Sequence, residues 1–324
     1  MARSRPLRVL VVTNMYPMPG APWFGIFVAE QVDSLRRRGV EIDVLFVNGS
    51  AGRIEYARGF GRVWRAARAK SYDLVHAHYV FCGILALAQR RAPVLLTHHG
   101  IETQLGWTPP LCRWTARRVA RNIATSRWVR DGLGMPGVDI VPCGVDLDLF
   151  QQTPQDEARA ALGLPADERL VLFAGRRRPE KRFDLVEASV SLLQAELPGV
   201  RLVVADGEPH ERIPLYMSAC DVLILASRGE GSPMVIKEAM ACNLPIVSVD
   251  VGDVAEVTGG VPGCYVVGDA PAELAHGLAQ ALRFGGRTEG RAAVASLSLA
   301  SLAERLEALY GEVAGEGTAV VRVP

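Results

Sequence analysis

Short runs of apolar, mostly β-branched residues alternate along this chain with longer stretches in which apolar positions recur every three or four residues. RVLVVT (8–13), EIDVLFV (41–47), DLVHA (73–77), VLLT (94–97), NIATS (122–126) and DIVP (139–142) predict strands. Stretches such as 25–38 and 110–120 predict amphipathic helices between them. The alternation restarts with LVLFAG (170–175), RLVVAD (201–206), DVLILAS (221–227), PIVSVD (245–250) and CYVV (264–267). Strand and helix alternating almost throughout predict an α/β protein with parallel sheets built from βαβ units. No short fixed period recurs, which argues against a solenoid.

The rhythm breaks over 143–168, which is rich in Gly, Pro and acidic residues and holds no clear strand. It reads as the crossing between two doubly wound domains, 1–150 and 151–298, with an amphipathic helix at 299–314 returning to the first. Such domains bind ligands at the carboxyl ends of their strands, so two facing each other are expected to form a cleft.

A length of 324 residues with 49% hydrophobic and 22% charged positions suits two domains with their own cores. The net charge of +1 conceals an asymmetry. Residues 1–150 carry 20 Lys/Arg against 11 Asp/Glu, and 151–324 carry 16 against 24. A basic half attracts anionic lipid or phosphorylated substrates, unless its arginines only solvate the surface helices. The cysteines at 82, 112, 143, 220, 242 and 264 form no Cys-x-x-Cys pair and read as reduced residues of a cytoplasmic protein. No run approaches the roughly 18 apolar residues that span a bilayer. The opening MARSRPLRVLVVT passes straight into a strand rather than into a signal peptide.

GLGMPG (132–137) has the spacing of a dinucleotide fingerprint but follows a helical run and precedes a strand, the reverse of what that chemistry needs. It reads as a loop, which disfavours a dehydrogenase. His76 and His78 share one face at a strand end, and His98 and His99 close the next strand. Four imidazoles suggest zinc, yet no Cys, Asp or Glu joins them at ligand spacing. The expectation is that one hydrogen-bonds or moves a proton while the others pack.

The second half carries a denser constellation. In FAGRRRPEKRF, Gly175 lets the chain turn at a strand end and puts Arg176 and Lys181 in the following loop. Two fixed cations can neutralise a diphosphate without a metal. In SRGEGSPMVIKEAM, Pro233 suits a helix start, and a helix from Met234 aims unpaired N–H groups at an anion. Glu238, one turn in, can accept from the vicinal hydroxyls of a ribose. Glu230, in the turn ahead, would sit nearer a sugar beyond the diphosphate. Taken alone, each stretch is also an ordinary basic loop or a capped helix.

Taken together, these segments resemble the retaining glycosyltransferases of family 4, whose GT-B fold has two facing Rossmann-like domains. The likeness covers nearly the whole chain: NMYPMPGAPWFGIFVAEQV, YDLVHAHY, LLTHHG, VPCGVD, GRRRPEK and EGSPMVIKEAMACNLPIV. It implies Arg176 and Lys181 on the donor diphosphate, Glu230 on the donor sugar and Glu238 on the ribose. Backbone from Gly231 through Ser232, Pro233 and Met234 to Val235 would hold sugar and phosphate. His99 would face the reacting sugar, and the loop at Gly25 would approach the diphosphate. The catalytic set is then His99, Glu230, Arg176 and Lys181.

The resemblance implies a nucleoside-diphosphate sugar as co-substrate, UDP favoured, with no metal and no nucleic acid. The acceptor would be a sugar or lipid-linked hydroxyl in bacterial polysaccharide or glycoconjugate synthesis. The chain departs from the family at 206–225, where DGEPHERIPLYMSACDVLIL omits a strand and helix that usually line the base pocket. It looks like a compact subgroup resembling bacterial surface-polysaccharide transferases. A nucleotide-sugar epimerase of the same architecture and a non-catalytic sugar-binding relative are the rivals.

RIEYARGFGRVWRAARAK (53–70) mixes Arg53, Arg58, Arg62, Arg65 and Arg68 with Tyr56, Phe60, Val63 and Trp64. It reads first as a crossover helix packing its aromatics on the sheet. The alternative is a helix resting on an anionic membrane, at its inner face.

Overall fold

A computed structural model describes residues 5–320, apart from the side chains of residues 50, 53 and 316–320. The opening MARS and the side chain of Arg53 thus lie outside the described residues. The chain divides into two compact units, Gly144–Ser298 and the remainder on either side of it.

The first unit is a six-stranded parallel sheet: β1 (Arg8–Thr13), β2 (Glu41–Phe46), β3 (Leu74–His78), β4 (Val94–His98), β5 (Arg121–Ala124) and β6 (Val138–Ile140). Their order is β2-β1-β3-β4-β5-β6. The connecting helices are α1 (Ile26–Arg37), α2 (Arg53–Ala69), α3 (Val80–Ala86), α4 (Pro109–Ala116) and α5 (Arg127–Leu133). Because side chains alternate across a strand, Val9, Val11 and Leu74 meet α1 on one face while Leu10, Val12, Val75 and Ala77 form a core on the other. GLGMPG occupies the end of α5 and the turn into β6.

The second unit is a five-stranded parallel sheet: β7 (Arg169–Ala174), β8 (Val200–Ala205), β9 (Val222–Leu225), β10 (Ile246–Val249) and β11 (Cys264–Val267). Their order is β11-β10-β9-β7-β8. Its helices are α6 (Gln155–Leu162), α7 (Phe183–Glu196), α8 (Ile213–Ala219), α9 (Met234–Ala241), α10 (Val254–Thr258), α11 (Pro271–Phe284) and α12 (Gly290–Ala293). Only a 3₁₀ turn and the seven-residue α8 separate β8 from β9.

The division falls at Cys143/Gly144 rather than at 150/151. The reason is packing. Val145 and Phe150 are buried in the second core, and the Arg291 guanidinium holds the carbonyls of Leu147 and Phe150 at 2.7 and 2.6 Å. The final helix, α13 (Leu299–Val320), packs Leu302, Leu306 and Tyr310 into the first core.

The reading of α2 needs correction. Val63 and Ala67 face the sheet and Tyr56 is half-buried, but Phe60 and Trp64 are 43% and 44% exposed and Ile54 is 66% exposed. The face that packs is the one carrying Gly59, whose missing side chain admits Leu85. That rotation turns two of the three aromatics outward, among Arg58, Arg62, Arg65 and Arg68. No helix among the described residues is long and apolar enough to cross a membrane.

Candidate functional site

In an open parallel sheet the loops diverge where the strand order reverses, and ligands bind there at the carboxyl ends. In the second unit the reversal lies between β7 and β9. The loop after β7 carries Gly175, Arg176 and Lys181, and the turn after β9 carries Glu230 to Pro233. The two basic and two acidic positions singled out in the sequence are therefore placed around one topological feature.

Gly175 sits at φ +140°, a conformation closed to most side chains, and bends the chain off β7. Lys181 ends a 3₁₀ turn, and its Nζ lies 2.5 Å from Glu230 Oε1, across 49 residues of sequence. The Arg228 N–H donates to the Glu180 carbonyl at 2.8 Å, so backbone as well as side chain joins loop to turn. Arg176 takes another direction. Its Nε is 3.5 Å from Asp206 at the end of β8, and its Nη1 occupies the space that a Cβ on Gly207 would need.

Pro233 caps α9 with φ −64°, so the first N–H groups of the helix lack intrahelical partners. Glu238 follows one turn later and is buried. Sequence reasoning missed what supports the turn. The Ser232 hydroxyl donates to Asp253 Oδ2 at 2.7 Å and accepts from Lys237 Nζ at 2.7 Å. Lys237 also reaches Asp253 Oδ2 at 2.9 Å. A lysine inside a helix normally reads as solvated, and its apolar neighbours Ile236, Ala239 and Met240 were the only hint of burial.

In the first unit the reversal lies between β1 and β3. Gly25 caps α1 at φ +67°, and a Cβ there would lie 2.3 Å from the Met15 carbonyl carbon. Only glycine closes this loop. Phe27, on the first turn of α1, lies 5.1 Å from the His99 ring. His99 Nε2 in turn is 3.0 Å from His78 Nδ1. The His99 backbone N–H donates to Glu102 Oε1 at 2.7 Å. Burial raises the Glu102 carboxyl, against the N–H groups that it accepts from. The sequence reading did not single out Glu102.

The four histidines differ in their contacts. His76 is held between Tyr310 and Thr97 at 2.6 and 2.8 Å, and burial lowers it to about 3. His98 turns to the opposite side, toward Asn122 at 3.2 Å, and burial lowers it to about 4. Burial likewise pushes His78 and His99 far below the ordinary imidazole value, and each is lowered further by a neighbouring imidazole. Of the four, His99 alone is half-buried rather than buried. Among the described residues no three His, Cys, Asp or Glu side chains are grouped as a metal would need.

Residues 5–149 match the family model Glycosyltransferase Family 4, and residues 207–283 match Glycosyl transferases group 1. D-inositol 3-phosphate glycosyltransferase of Mycobacterium tuberculosis is 28% identical over 412 aligned residues, covering 97% of this chain and 85% of the relative. That alignment is longer than the chain itself, so the relative carries insertions that this chain lacks. Among solved structures, sucrose-phosphate synthase of Thermosynechococcus elongatus superposes with a TM-score of 0.78 at 19% identity, over 94% of this chain and 98% of that one. HepE of Anabaena, in complex with UDP, gives 0.66 at 19% identity, over 94% and 100%.

Proposed function

We propose, from the premise that this chain is a glycosyltransferase of the family 4 type with the GT-B fold and a nucleotide-sugar donor, that it transfers a sugar with retention, UDP being the nucleotide. The observation that carries the reading is the union of the β7 loop and the β9 turn. Lys181 on Glu230 brings a cation and a carboxylate together just ahead of the unpaired N–H groups of α9. That arrangement suits a diphosphate whose sugar lies toward Glu230 and whose ribose lies toward Glu238. The HepE neighbours are complexes with UDP and with UDP-glucose, which supports UDP here.

Chemistry follows from charge. The bond between the anomeric carbon and the diphosphate oxygen breaks, and negative charge develops on that oxygen. Arg176, Lys181 and the α9 amides stabilise it where it forms. The acceptor oxygen bonds to the anomeric carbon from the face that the diphosphate leaves, and its proton passes to the departing phosphate. No metal and no protein base is required. His99 serves as a neutral hydrogen-bonding group for the sugar. Glu230 positions the sugar, with Lys181 exchanging it for the diphosphate when donor binds.

The acceptor belongs to bacterial polysaccharide or glycoconjugate synthesis, and we assign it to the basic first unit. The outward aromatics of α2 among four arginines suit peripheral contact with an anionic membrane, where a lipid-linked acceptor resides. The test is NMR of the sugar released by slow hydrolysis of UDP-glucose and UDP-N-acetylglucosamine. An α-anomer appearing before mutarotation supports retention; an initial β-anomer contradicts it.

A further inference from the structure

Beneath the turn that carries Glu230 lies a closed polar triangle. Lys237 Nζ contacts Ser232 Oγ and both oxygens of Asp253, at 2.7, 2.9 and 3.2 Å, and Ser232 Oγ donates to Asp253 at 2.7 Å. Lys237 is 0% exposed and Asp253 is 3% exposed. The neighbouring Gly252, at φ +63°, lies flat on the turn: a Cβ there would stand 2.7 Å from the Gly231 carbonyl oxygen and 2.9 Å from that of Glu230. The 250–253 loop is thus pressed against the backbone of the two residues before Ser232.

A buried ion pair is a poor device for stability alone. Desolvating the two charges costs several kcal/mol per ion, and a well-packed apolar pair of similar volume often does as well. This pair therefore needs a role in what it touches, and among the described residues the neutral side chain it holds is Ser232. The Ser232 hydroxyl donates to Asp253 and accepts from Lys237, so its side chain is held at two points. The geometry points to Lys237 and Asp253 as positioning residues that clamp Ser232, and with it the Glu230–Ser232 turn, in the donor-binding conformation. The clamp matters most when Lys181 leaves Glu230 for the diphosphate, because the turn then loses its side-chain tie to the β7 loop. This inference rests on the reading that the turn holds the donor.

The test is UDP binding by calorimetry on the full chain. Ser232→Ala cuts the clamp and leaves the Lys237–Asp253 pair intact. Its expected result is a UDP Kd weakened roughly tenfold, the scale of one hydrogen bond to a charged group, measured where the variant is fully folded, with a Tm lowered by a few degrees. Ser232→Thr, which keeps the hydroxyl, is expected to restore most of the affinity. A Lys237→Met, Asp253→Leu double variant, free of unpaired charge, is expected to fold and to bind UDP as weakly as Ser232→Ala. Native affinity in Ser232→Ala overturns the clamp, as does a loss that only tracks its folded fraction and is not rescued by threonine. If the unsubstituted chain itself fails to bind UDP, the donor reading fails instead, which keeps the two failures apart.

Discussion

His78 Nδ1 and His99 Nε2 face each other at 3.0 Å with room for one proton between them. Two imidazoles in this arrangement form a hydrogen bond only if one donates and the other accepts, and burial disfavours charge on both. His99 is therefore expected to stay neutral throughout turnover. Its imidazole ¹⁵N resonances should not titrate between pH 5.5 and 8 in the folded protein. A titration of His99 centred near the ordinary value of about 6.5 contradicts this.

Burial of histidines also sets the acid limit of the first unit. In the unfolded chain the imidazoles titrate near 6.5, whereas His76 and His98 are lowered to about 3 and about 4. The unfolded state then binds more protons as pH falls below about 6.5, so stability is full above that value and is lost toward the folded values. The raised carboxyl of Glu102 acts in the opposite sense, but it is one group against four histidines. Calorimetry should give a Tm several degrees lower at pH 5 than at pH 7, and a smaller drop in His98→Asn. A Tm that does not fall between pH 7 and 5 contradicts the assignment.

Arg176 and Lys181 are expected to act on the rate rather than on the fold. Both lie on a surface loop, and the Arg176 pair with Asp206 is long and partly solvated, so it contributes little to stability. Arg176→Ala should lower kcat by about two to three orders of magnitude, the usual loss when one stabilising group of a developing anion is removed. Its Tm should stay within a degree or two. Unaltered turnover in Arg176→Ala removes it from the mechanism.

The exposed face of α2 gives a prediction about membranes. The chain should co-sediment with vesicles containing phosphatidylglycerol and not with phosphatidylcholine alone. Binding should weaken in a Phe60→Ser, Trp64→Ser variant and at high salt, since both apolar burial and screened charge contribute. Binding that survives both changes contradicts a role for this helix.

Much of this architecture was legible because buried parallel strands announce themselves as apolar runs, and each predicted strand lies within a few residues of β1–β11. The Glu230 turn and the Arg176–Lys181 loop were legible for a similar reason: both follow strands directly and carry Gly and Pro where the backbone must bend. What escaped were relations across the sequence. Lys237 finds Asp253 sixteen residues away only because β10 returns beside α9, and no local pattern encodes that. The outward face of α2 depended on which small residue met α3, and Gly59 decided it. The early boundary at Cys143 depended on Arg291, more than 140 residues beyond, reaching back to the linker carbonyls.

The central claim is a diphosphate site in the second unit, and a thermal-shift comparison of UDP, GDP, ADP, TDP and CDP tests it most directly. A ligand that binds only the folded state raises Tm with its occupancy. The account predicts a rise with UDP above the other four, lost in Arg176→Ala and in Glu238→Ala. No rise with any diphosphate, or a rise that both variants retain, would contradict it.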